Sequence, residues 1–211
     1  MREQIFQKLI EPIRRKHNMR FRSALKVDGF TILSSNCIGG VLYNMLGMKI
    51  LSPTVNMFIT GDNFVKLVSN PVKYLVEEEP FPINDFYKNG DKVYPLIGVD
   101  DIVLNCLHYK NCEEAIEAWN RRRVRVDLDK IVVIATSWDL ENQENVDAIL
   151  ESKYPSVVFT ENCIYRENCI YYDPKYWESS GMPALTDYRR HGWSRYFEYY
   201  FDVVEWLNSN L

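Results

Sequence analysis

Apolar positions along the chain fall into two kinds of run, and their alternation predicts an α/β fold. Phe30, Ile32 and Leu33 with Thr31 form a short β-rich run. Ile38, Val41, Leu42 and Met45 then recur at i, i+3, i+4 and i+7, the spacing of a helix with one buried face. The polar turn Ser34-Ser35-Asn36-Cys37 separates them, with Asn36 suited to cap the helix and Gly47 to end it. A step of 100° per residue turns Gly39, Gly40, Tyr43 and Asn44 away from the buried face. A glycine costs about 1 kcal/mol against alanine inside a helix. Gly39 and Gly40 therefore predict a close approach to the backbone, by another segment or by a ligand.

The same reading extends in both directions. Ile5, Phe6, Leu9, Ile10 and Ile13 give a first helical stripe, with Pro12 expected to end that helix and open a second. Val55–Ile59 reads as a strand, Thr60-Gly61-Asp62 as a helix start, and Asn70-Pro71 as the start of one more short helix. Glu77 to Asp101 reads as a loop-rich excursion with one hairpin turn at Asn89-Gly90, and Pro95 places any strand there at a sheet edge. Ile102–Leu107 is a further strand, followed by a helix opened by the Asn111/Glu114 capping box. Ile131–Ala135, Asn142–Glu151 and Val157–Phe159 form a β-α-β unit, which predicts a mainly parallel sheet with flanking helices. The last fifty residues repeat Glu-Asn-Cys-Ile-Tyr at 161–165 and 167–171, which would aim Cys163 and Cys169 the same way in a strand. They close on a helix from Arg195 to Leu207 that is apolar nearly all round. The expected organisation is a single domain: a basic helical head at 1–28, an α/β core at 30–160, and an irregular aromatic-rich segment at 161–211 packed on it.

Composition narrows the class. The chain has 211 residues, five cysteines and a net charge of −4. An odd thiol count, no signal-peptide pattern and no membrane-length apolar run lead to the expectation of a cytoplasmic protein with reduced cysteines. Residues 1–26 carry eight Lys/Arg against two Glu. Such a head suits peripheral contact with an anionic membrane or with polysaccharide-assembly proteins, or simply a solvated face pairing with the acidic body. Arg121, Arg122, Arg123 and Arg125 end one helix of an acidic protein, so nucleic acid is rejected as a partner. Three histidines and no Cys-x-x-Cys argue against zinc, and no cofactor is implied.

Chemistry is expected at the carboxyl ends of the strands, where parallel sheets bind ligands. That edge gathers Ser34, Ser35, Asn36 and Cys37, then Thr60, His108, Ser137 and Asp139, then Thr160 and Glu161. The turn from Ser35 and Asn36 to Gly39 and Gly40 suits an anionic group, with Ser137 as a further ligand-binding residue. Cys37 at a helix start would have its thiolate favoured, with His108 as its base and Asp100, Asp101 or Asp139 available to orient it. Cys is also a common buried packing residue. His17 and His191 read as surface residues. Asp127-Leu128-Asp129 matches a metal-carboxylate pattern but precedes a strand, the wrong end for a ligand.

Ser35-Asn36-Cys37-Ile38-Gly39-Gly40, Ser52-Pro53-Thr54, His108-Tyr109 and the closing stretch from Tyr200 to Leu207 together resemble the bacterial domain-of-unknown-function 1919 family. Its members are often labelled exopolysaccharide biosynthesis proteins. The likeness covers most of the chain, with Ser35 standing where the family often has Asn and Ile38 where it often has an aromatic. The resemblance implies a setting in surface-glycan assembly and a phosphorylated sugar or nucleotide sugar as ligand, with a transferase as the enzyme class. The alternatives are a Cys37/His108 hydrolase or acyl transferase, and a non-catalytic assembly factor that binds partners.

Overall fold

A computed structural model describes residues 2–162, 166–173 and 185–211, and these form two sheets flanked by helices. The first sheet is parallel throughout, in the order β1 (Thr31–Ser34), β5 (Ile131–Thr136), β6 (Ser156–Thr160), β7 (Cys169–Tyr171). Helices cover both faces, which is why its three longer strands read as unbroken apolar runs. Ile131, Val133 and Ala135 pack with α3 (Gly61–Ser69), α4 (Cys112–Arg123) and α6 (Gln143–Leu150). Val132 and Ile134 face the other way, toward α2 (Ile38–Leu46) and α7 (Val203–Asn210). The period of two along β5 thus splits the interior into two cores. The α/β class with a parallel sheet and an N-terminal helix is as the sequence predicts.

The second sheet departs from prediction. The excursion at 77–101 is an ordered hairpin, β2 (Pro80–Asn89) and β3 (Lys92–Val99), turning at Gly90 with φ +59°. The next strand, β4 (Ile102–Asn105), pairs antiparallel with β3 and does not join the parallel sheet. Pro95 sits in the central strand of the three, not at an edge. The strand tolerates it because the β2 register slips between Ile83 and Phe86, next to the Phe86–Pro95 pair, and the β4 ladder stops at Leu96. The segment expected as a strand at 55–59 contributes a single bridge, Phe58 to Asn105, and Asn56 at φ +70° breaks it.

Helix α1 (Arg2–Ala24) runs through Pro12 without a break. One lost backbone bond is outweighed by anchors on its C-terminal side. Arg14 donates to the carbonyl of Gly192 at 2.6 Å, and Arg22 donates to the Met45 and Asn44 carbonyls at 3.1 and 3.0 Å, closing the C-terminal end of α2. Tyr43, expected on the outer face of α2, is fully buried. Its hydroxyl accepts from the Ile32 amide at 2.8 Å and donates to the Phe30 carbonyl at 3.1 Å. Strand β1 is a sheet edge, and Tyr43 satisfies the ladder groups there. The predicted long C-terminal helix is instead one tight turn at Phe197–Tyr199 and then α7, capped by the Asp202 carboxylate at the amides of Val204 and Glu205. Cys163 of the repeated pentapeptide lies outside the described residues. Among those residues no helix is long and apolar enough to cross a membrane.

Candidate functional site

Three chain segments meet at the carboxyl rim of the parallel sheet. The first is the turn after β1. Ser34 donates its hydroxyl to the Asn36 carbonyl at 2.8 Å, and Asn36 Oδ1 accepts from the Ile38 amide at 3.0 Å, a local Asx turn that aims the chain into α2. Cys37, not Asn36, is the residue preceding the helix. The second is the single turn α5 (Ser137–Leu140) after β5, where Thr136 Oγ1 accepts from the Asp139 amide at 3.1 Å. The third is the loop after β4. It is fixed by Tyr109, whose hydroxyl donates to the Val55 carbonyl at 3.1 Å and accepts from the buried Arg122 at 2.7 Å. This anchor holds the neighbouring His108 at the rim.

The joining contacts are short. Asp139 Oδ2 accepts from Ser35 Oγ at 2.6 Å and Asn36 Nδ2 at 2.7 Å. Cys37 Sγ lies 3.1 Å from Nε2 of His108. His108 is exposed, Cys37 half-buried, and Asp139 1% exposed, so the group grades from solvent to interior. Burial pushes the Asp139 carboxyl up to about 6, against the pull of hydrogen bonds from Ser35, Thr136 and Asn36, and the Glu141 charge adds to the rise. Its Oδ1 has no hydrogen-bond partner among the described residues.

Electrostatics reverses one expectation. Helix starts favour thiolates, yet burial first and the Asp139 charge second push Cys37 up to about 11. At neutral pH the resting group is a thiol.

The two glycines do not present an open face. A Cβ on Gly39 would fall 2.5 Å from Ser34 Oγ, and one on Gly40 2.9 Å from Val55 Cγ1. Their lack of side chains lets α2 lie against β1 and the 52–57 segment. Of the two readings the sequence left open, packing accounts for their Cα positions. Ser137 opens α5 on the same rim, half-buried, and no side-chain hydrogen bond ties it to the cluster among the described residues.

Other candidates fall elsewhere. Asp100 and Asp101 lie in the β3–β4 turn, paired with Lys73 and Lys66, at the opposite end of β4 from His108. Asp127 Oδ1 accepts from the amides of Asp129 and Lys130, a turn at the amino end of β5. His17 is part-buried and bonded to Glu198 at 2.5 Å, and His191 stacks on Trp193 at 3.7 Å; both pack structure around the C-terminal segment. Among the described residues no three metal-ligating side chains cluster.

Asp139 is the hub that the sequence reading noted without singling out. Its signal was Thr136-Ser137-Trp138-Asp139, a capping spacing straight after a strand. Aromatic neighbours were not legible. Phe58 packs between Trp138, 6.1 Å away, and Tyr87 of β2, 5.8 Å away, and the Tyr87 hydroxyl senses the Asp139 charge. The hairpin thus reaches the mouth of the other sheet.

Fold and site together define an α/β protein with a thiol, an imidazole and a buried carboxyl gathered at the carboxyl edge of a parallel sheet. The chain belongs to the family described as a domain of unknown function, DUF1919, whose profile matches residues 9–208. It is similar to an uncharacterised protein of Haemophilus influenzae, 23% identical over 208 residues that span 96% of this chain and 98% of that one.

Proposed function

We propose that the protein is a cysteine-dependent acyl hydrolase or acyl transferase, with Cys37 as nucleophile and His108 as general base. The observation that carries this reading is the 3.1 Å separation of Sγ and Nε2, within the contact distance such a pair requires. In the first step Sγ bonds to an ester or thioester carbonyl carbon while its proton passes to His108 Nε2. The leaving oxygen or sulfur then departs with that proton, and an acyl-thioester remains on Cys37. Water, or an acceptor hydroxyl, loses its proton to His108 and bonds to the acyl carbon, and the carbon–sulfur bond breaks as Cys37 takes that proton back from His108. The raised thiol makes this coupling necessary, since little thiolate exists before the substrate arrives.

Asp139 acts here as a positioning residue. It holds Ser35 and Asn36, and so fixes the turn that presents Cys37. The amides of Gly39 and Gly40 open α2, where helix N–H groups have no intrahelical acceptor, and they suit the developing oxyanion. In a setting of surface-glycan assembly, the one the sequence resemblance implies, the physiological step of this proposal is acyl transfer onto a sugar hydroxyl.

The test uses p-nitrophenyl esters of graded chain length and acyl thioesters, with intact-mass detection of the acylated chain. An adduct mapped to Cys37, lost in Cys37→Ala and slowed on the order of 10²–10⁴-fold in His108→Ala, is expected. No adduct across the panel, with Cys37→Ala as active as the parent, overturns the proposal.

A further inference from the structure

A concavity lies on the C-terminal segment, and none of its lining residues belongs to the group around the thiol. Its frame is a tight loop. The amide of Arg189 donates to the Ser194 carbonyl at 2.8 Å, and Gly192 turns the chain at φ +83°. The guanidiniums of Arg14 and Arg195 both lie over the Tyr188 ring, 3.7 and 4.2 Å from its centre. Those two arginines are thus occupied by structure.

Arg189 and Arg190 instead face a cavity of about 250 Å³, which they line together with Tyr196, Tyr199 and Tyr200. Arg189 lies 5.1 Å over the Tyr199 ring, and neither guanidinium meets a carboxylate among the described residues. Tyr200 packs at 5.1 Å against Tyr172, which follows the carboxyl end of β7. The cavity therefore borders the edge of the parallel sheet at which ligands bind.

We infer that this pocket binds a small phosphate ester carrying one ring. Two guanidiniums that line one cavity, with no carboxylate partner among the described residues, offer forked donors matched to phosphate oxygens. Tyrosine supplies flat apolar faces with a polar tip, suited to covering a sugar or an aromatic ring. The volume decides the size: it falls below the roughly 300 Å³ at which drug-sized sites begin, so one ring and one phosphate group fill it. This inference is independent of the acyl-transfer reading.

Calorimetric titration with glucose 1-phosphate, phenyl phosphate, inorganic phosphate and glucose tests it, on the parent chain, Arg189→Ala/Arg190→Ala, Tyr199→Ala and Cys37→Ala. At least one ring-bearing phosphate binds the parent more tightly than phosphate or glucose alone, and the tighter of the two names the ring. The double arginine variant weakens that binding on the order of tenfold or more, Tyr199→Ala weakens it less, and Cys37→Ala leaves it unchanged. Thermal melting without ligand establishes that each variant folds. Equal binding by the double arginine variant, binding by phosphate alone as tight as by its esters, or no binding by any probe overturns the inference. Because Cys37→Ala is in the set, loss of acyl transfer and loss of phosphate-ester binding are read separately.

Discussion

Asn36 Nδ2 donates to Asp139 Oδ2 at 2.7 Å across 103 positions of sequence, tying the entry of α2 to the turn after β5. Adjacent parallel strands make the meeting unavoidable, because β1 and β5 pair from Thr31–Ile131 to Ser34–Ile134 and end side by side. The bond also buries a carboxyl, and that has a measurable cost.

Asp139 titrates near 6 in the folded chain, against about 3.9 unfolded. With the folded value raised, the proton binds the folded state more tightly. Stability from this group is full below about pH 4 and is lost as pH rises through 6, by on the order of 3 kcal/mol. Asp139→Asn stays neutral and keeps an acceptor for Ser35 and Asn36. Its stability relative to the parent should therefore climb by that amount between about pH 4 and pH 7 in urea unfolding. A gap that does not change with pH removes the desolvated-carboxyl reading.

Cys37 should alkylate slowly. With the thiol pushed up to about 11, iodoacetamide at neutral pH should label it on the order of a hundredfold more slowly than an ordinary cysteine of pKa near 8.5. The rate should rise about tenfold per pH unit above neutrality. Asp139→Asn takes away a negative charge, so the thiolate forms more readily and labelling at pH 8 accelerates. Peptide mapping by mass spectrometry reads both, and a slower rate in Asp139→Asn contradicts the charge assignment.

Gly39→Ala distinguishes packing from a ligand surface. Alanine gains about 1 kcal/mol of helix propensity, yet its Cβ would meet Ser34 Oγ at 2.5 Å. Overpacking of that kind costs about 1–3 kcal/mol, so the thermal midpoint should fall. Adding Ser34→Ala removes the closest atom and should recover part of the loss. A stabilised Gly39→Ala means that the face is open after all.

Tyr43→Phe deletes one oxygen at the edge of the parallel sheet. The Ile32 amide and the Phe30 carbonyl lose their partner inside a dry core. The expected loss is about 1–3 kcal/mol, seen as a lower urea midpoint at unchanged slope. Hydrogen exchange at Ile32 should quicken in the same variant.

Much of this molecule is legible in its side-chain pattern, and the misses share one cause. Phe30–Leu33, Ile131–Ala135 and Val157–Phe159 were readable as buried strands because a parallel sheet under two helical layers demands continuous apolar runs. Ile102–Leu107 looked the same, yet β4 pairs with the hairpin, because periodicity reports burial and not the neighbour. Pro12 reads as a helix end and Pro95 as the mark of an edge strand, and each is absorbed by contacts that local rules do not see. Cys37 and His108 were both identifiable as rim residues, although His108 arrives from the antiparallel sheet and not from a fifth parallel strand. Asp139 was less legible, since only burial distinguishes it from the other aspartates.

Local sequence determined the strand-turn-helix at 30–47, the β-α-β unit at 131–159 and the polar identity of the turns that end them, because these depend on dihedral preference and on which face must leave water. The tertiary structure alone decided that Cys37 meets His108, that Asp139 is sealed beneath them, and that Gly39 and Gly40 are filled by Ser34 and Val55. Distances between remote side chains, and the loss of solvent that shifts a proton, belong to the assembled packing and to no segment by itself.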